Sequence, residues 1–134
     1  MRLKLLDRKG FSLVELLVST AILSYAASAI LVGFINNMEL AQDGRNLTRA
    51  MTHADYVLED IRHTSFGTII TLASSGNWNW DATALSSRGL NPLKNESINT
   101  STTGSNPLEI TISVSWTDFK ERSQTRILKT LVSG

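Results

Sequence analysis

The chain has 134 residues, a formal charge of +1 and no cysteine, which bounds it to about one domain and excludes disulfides, thiolate metal sites and cysteine nucleophiles. Its charge is unevenly placed: Arg2, Lys4, Arg8 and Lys9 against Asp7 give the first ten residues +3, and the remainder carries −2. Such a remainder has no electrostatic footprint for phosphate backbones, so no nucleic-acid partner is expected.

After Glu15 the next charged residue is Glu39, so the 23 residues 16–38 are free of formal charge. About 20 such residues in a helix cross the hydrocarbon core of a bilayer, and one membrane span is expected here. The basic residues of the leader all precede it. Short flanks rich in Lys and Arg stay on the cytoplasmic side, which puts the C-terminal part outside. A cleaved secretory signal would carry a small-residue site after the apolar region. Ser28-Ala29 is such a candidate, but Leu31, Val32, Phe34 and Ile35 continue the apolar run beyond it. Glu15 has two readings. Ser12-Leu13-Val14-Glu15 has capping-box spacing, and an acid in the first turn complements the helix dipole. A carboxylate inserted in a membrane also costs roughly 2.5–3.5 kcal/mol at mid-helix, less near the edge, and usually has a partner.

The run Lys9-Gly10-Phe11-Ser12-Leu13-Val14-Glu15-Leu16-Leu17 resembles the class III signal of type IV prepilins and type II secretion pseudopilins. The likeness is dense over the leader and apolar segment and weaker beyond. It implies that a membrane-embedded prepilin peptidase cuts between Gly10 and Phe11 and methylates the new amine of Phe11. It implies a buried role for Glu15, facing the N-terminal amine of a neighbouring subunit and setting axial register. The partners so implied are prepilin peptidase, other pilins or pseudopilins through the N-terminal helix, and an inner-membrane assembly platform.

Between Phe11 and Pro92 there is no proline, so one helix can run from residue 11 to about 63, roughly 80 Å at 1.5 Å per residue. This divides the chain into a leader (1–10), a transmembrane half-helix (11–38), an amphipathic half-helix (39–63) and a periplasmic remainder (64–134). Leu40, Leu47, Met51, Ala54, Leu58 and Ile61 recur at steps of 7, 4, 3, 4 and 3, an apolar seam on one helix face. Packing on a C-terminal sheet explains that seam, and a coiled coil of about three heptads would share the spacing. Gly33 and Gly44 each cost about 1 kcal/mol against alanine and are candidate bends.

Residues 65–107 read as loop, because 26 of these 43 are Ser, Thr, Asn, Gly or Pro, too many for either period. Within them, residues 66–72 are either a short strand or an extension of the helix, and residues 95–106 are expected to be flexible. In Asn77-Trp78-Asn79-Trp80-Asp81 the two indoles would share a face if extended. Trp78 and Trp80 are thus candidates for partner or ligand contact, against the competing reading that they plug a small core. The sequons at Asn46, Asn95 and Asn99 carry no weight in so polar a chain.

From Leu108 the period becomes two: Leu108, Ile110, Ile112, Val114 and Trp116 alternate with polar residues, a strand with one buried face. A polar connection over 118–122 leads to a weaker strand over 125–132, completing an antiparallel hairpin. The expected fold class is therefore α+β and similar to the pilin fold, one long N-terminal helix on a small antiparallel sheet. The Val114-Ser115-Trp116 strand, followed by a basic and apolar final strand, resembles minor pilins of the PilV class and the minor pseudopilin I.

His53 and His63, ten apart and without a carboxylate at metal-site spacing, read as surface or rim residues. No Ser-His-Asp order, paired-carboxylate pocket or phosphate loop is present in the sequence, so no catalytic residue, cofactor or metal is expected. The expected function is structural: a minor pilin or pseudopilin in a type IV pilus or type II secretion pseudopilus, held in the inner membrane before assembly. The contrasting expectation is a single-span anchored periplasmic binding module whose Trp78 and Trp80 face a ligand.

Overall fold

The computed structural model describes residues 12–134. Gly10 and Phe11, where cleavage and methylation are expected, lie outside the described residues. The elements in chain order are α1 (Leu13–Arg62), α2 (Phe66–Ser74), β1 (Trp80–Asp81), α3 (Ala82–Ser87), β2 (Ser97–Thr103), β3 (Leu108–Thr117) and β4 (Ser123–Val132). The fold is α+β and pilin-like, with a long N-terminal helix and one antiparallel sheet in the order β1-β2-β3-β4. Two compact units divide it, Met1–Ala41 and Gln42–Gly134.

In the first unit α1 is apolar around its circumference, and its hydroxyls turn back on their own backbone. Ser19 Oγ donates to the Glu15 carbonyl at 2.7 Å, Ser24 Oγ to Thr20 at 2.8 Å and Ser28 Oγ to Ser24 at 2.9 Å. Polar groups satisfied within the helix suit a segment that meets no water. Neither Gly33 nor Gly44 interrupts the element.

In the second unit α1 buries Ala50, His53, Ala54, Val57, Leu58 and Ile61. The strip lies against the sheet, as the seam implied, but it is centred differently. Ala50 and Val57 occupy its middle at 0% exposure, Met51 is only half-buried, and Leu40 is exposed. The core continues through Ile69 of α2, Leu85 of α3, Ile98 of β2 and the inward residues of β3. Along β3 burial alternates without exception, as its period requires.

The loop expected over 65–107 instead holds two helices, α2 and α3, and two strands, β1 and β2. Its hydroxyls support local structure: Thr68 Oγ1 donates to the Ser65 carbonyl at 2.8 Å and Ser74 Oγ to Ile70 at 2.8 Å, while Ile69 and Ala73, four apart, face the core. Asp81 caps α3 by accepting the Ala84 N–H at 2.7 Å. The segment expected to be flexible contains β2, whose pairing with β3 runs from Ser97↔Ser115 to Thr103↔Glu109. A strand of Ser, Thr and Asn forms because a strongly apolar neighbour supplies both ladder and core, which overrides propensity. The β2–β3 turn passes through Gly104 at φ +83, where a Cβ would lie 3.1 Å from the Pro107 carbonyl oxygen.

Candidate functional site

Every side chain from residue 12 to 38 is exposed. Leu23 is 71% and Phe34 64% accessible, a density of apolar surface that water does not tolerate on a free chain. Glu15 sits in the first turn of α1, and the Leu16 N–H donates to the Ser12 carbonyl at 3.1 Å to close that turn. Among the described residues no side chain partners the Glu15 carboxylate.

Residues 6–32 match the family described as the prokaryotic N-terminal methylation motif. The chain carries the class III signal of type IV pilins and pseudopilins. That motif marks a substrate of prepilin peptidase, and the helix that follows is long and apolar enough to span a membrane, which fits membrane anchoring. The match ends within α1, leaving residues 33–134 outside it. No curated protein and no solved structure matches the chain.

The other sequence-selected residues fall into the second unit. Trp78 and Trp80 are not an exposed pair: they are 1% and 3% accessible and belong to the core. Trp78 Nε1 donates to Asp60 Oδ2 at 2.7 Å, fastening the turn after α2 to α1. Trp80 Nε1 donates to the Asn77 carbonyl at 3.0 Å, the Arg88 guanidinium lies 4.1 Å over its ring, and Tyr56 meets it edge-on at 6.1 Å. Only Trp80 lies in a strand, so the shared extended face does not form. The packing role is the one these contacts describe.

His53 corrects the expectation of a rim residue. It is buried, and its Nδ1 lies 2.7 Å from Glu96 Oε1, while Glu96 Oε2 accepts the Leu93 N–H at 2.6 Å. This dyad ties α1 to the segment entering β2. The available signal was spacing, since His53 lies three residues from Ala50 and four from Val57 on the buried strip; Glu96 carried none. His63 is exposed and its Nε2 lies 3.2 Å from Glu59 Oε1.

Asp118 reads in the sequence only as part of a polar connection. In the fold it is buried, and it organises the β3–β4 turn. Its Oδ1 accepts the Lys120 and Arg122 N–H groups at 2.8 and 2.9 Å, and its Oδ2 accepts Arg122 Nε at 2.8 Å and Gln124 Nε2 at 3.1 Å. Burial pushes the carboxyl up, but these hydrogen bonds outweigh it and hold the group at about 2 against the ordinary 3.8. From the segment before β2, Lys94 pairs with Glu121 of the same turn.

Proposed function

We propose that this chain is a structural subunit of a helical filament, a minor pilin or pseudopilin of a type IV pilus or type II secretion pseudopilus. What carries the assignment is a junction: the methylation motif opens directly into a helix whose side chains are exposed throughout residues 12–38. Cleavage between Gly10 and Phe11 leaves that helix in the mature protein, with a methylated amine on Phe11. Before assembly the helix lies in the inner membrane, leader side cytoplasmic and residues 42–134 periplasmic, as the basic leader favours.

On leaving lipid, the apolar surface must be covered by the helices of neighbouring subunits, which is the driving force for a filament core. The Glu15 carboxylate then meets the Phe11 amine of the next subunit. In that dry setting a wrong axial offset leaves an unpaired charge, so the pair selects the register. A minor role is supported by the small second unit and by the absence of cysteine, hence of any disulfide-closed C-terminal loop. Burial of Trp78 and Trp80 favours this reading over a tethered binding module with those indoles on a ligand.

Glu15→Ala tests the assembly role. The variant is expected to be processed and retained in membranes but depleted from sheared filaments; entry at wild-type level would refute the pairing.

A further inference from the structure

The outward face of α1 within the second unit segregates its charges. Arg45 and Arg49 stand four residues apart, and Asp55 and Glu59 repeat that spacing ten residues further on. All four are exposed and lie off the buried strip of Ala50, Ala54, Val57 and Ile61. Neither pair helps its own helix. Like charges at i,i+4 repel, and Glu59 stands in the last turn of α1, where the dipole disfavours an acid. No cation lies three or four residues from Asp55, and no acid three or four from Arg45 or Arg49. Accordingly Arg45, Arg49 and Asp55 make no ion pair among the described residues. Glu59 meets Arg62 at 3.6 Å and His63 at 3.2 Å, with all three side chains more than half exposed. The four charges thus form two open pairs of opposite sign at matched spacing.

We propose that Arg45 and Arg49 of one copy pair with Asp55 and Glu59 of a neighbouring copy, the two α1 helices lying parallel and displaced by ten residues. This rests on the filament reading, in which every subunit points the same way. The matched spacing carries it: one displacement brings Arg45 level with Asp55 and Arg49 level with Glu59, about 15 Å along the axis at 1.5 Å per residue. At zero displacement, as for copies side by side at equal depth in a membrane, cations would lie level with cations and acids with acids, which repels. The ladder therefore opposes lateral association before assembly and favours it once one subunit has moved outward past its neighbour. The cationic and acidic pairs are different patches, so the contact is heterologous, the kind that propagates an open filament and does not close a dimer. Pairing of Glu15 with a neighbour's Phe11 implies a displacement of four residues, so the two contacts join each copy to different neighbours. An antiparallel pair would instead match Arg45 with Glu59 and Arg49 with Asp55, and parallel subunits exclude it.

Charge reversals in the full chain test the ladder, read as the share of each variant in sheared filaments against wild type. Arg45→Asp and Asp55→Arg are each expected to be depleted several-fold, because each sets like charges opposite one another at every repeat of the contact. Their melting temperatures are expected to be no lower than wild type, since each change also removes a like-charge i,i+4 pair within its own helix. A merely structural role for either residue predicts the opposite. The double variant Arg45→Asp/Asp55→Arg is expected to return to near wild type, whereas Arg45→Asp/Glu59→Arg is expected to stay depleted. The proposal is overturned if either single reversal enters filaments at wild-type level, or if Arg45→Asp/Asp55→Arg stays as depleted as the singles. It is equally overturned if Glu59→Arg restores Arg45→Asp, which marks an antiparallel pair. Absence of the wild-type chain itself from filaments would overturn the filament reading and this contact with it.

Discussion

Three carboxylates show how differently the same group is used in this chain. Glu15, exposed in the first turn of α1, has no side-chain partner among the described residues. Asp118 is buried among four donors that keep it ionised to about pH 2. Because its folded value is depressed, Asp118 stabilises the fold fully above its unfolded value near 4, and that contribution is lost as pH falls from about 4 through about 2. Thermal melts are expected to steepen downward across that window, and Asp118→Asn is expected to lower the melting temperature at neutral pH and flatten the acid slope. Glu96 is held inside against His53. Glu96→Ala would leave the His53 ring and the Leu93 N–H without their acceptor, at a cost of about 1–3 kcal/mol per stranded group, to be read as a fall in denaturant midpoint. Sequence showed the first of these acids plainly, because one charge interrupts an apolar run. The other two were hidden: the partners of Asp118 come from a turn only its folded geometry creates, and Glu96 reaches a histidine 43 positions away.

At the scale of elements, legibility followed the strength of the period. β3 alternates five apolar against five polar residues, and every inward one is buried. β2 has a single apolar residue, Ile98, and was invisible because its stability is borrowed from β3. The strip on α1 was found in part: Ala54, Leu58 and Ile61 of the seam are buried, but Ala50, His53 and Val57 complete the strip and the large Leu40 is exposed. The sheet yields a paired prediction. Ile112→Ala, at 0% exposure in the middle of β3, is expected to cost about 2–5 kcal/mol by leaving a cavity. Ile127→Ala, on the outward face of β4, is expected to change stability by less than about 0.5 kcal/mol, with both read from chemical denaturation of the full chain in detergent.

For the whole molecule, the two units carry separate tasks. Residues up to Ala41 present a membrane-compatible helix headed by the methylation motif, and this was legible because lipid imposes a single requirement, uninterrupted apolarity with satisfied backbone. Residues from Gln42 onward build a small core from short, hydroxyl-rich elements whose packing only the fold reveals. A processed filament segment and a permanent tether would differ at the N-terminus of the mature chain. The intact mass of the protein extracted from its native membranes separates the two. A filament subunit is expected to lack residues 1–10 and to bear one methyl group on an N-terminal Phe11. A chain retaining its leader, or one beginning after Ser28, would contradict that assignment.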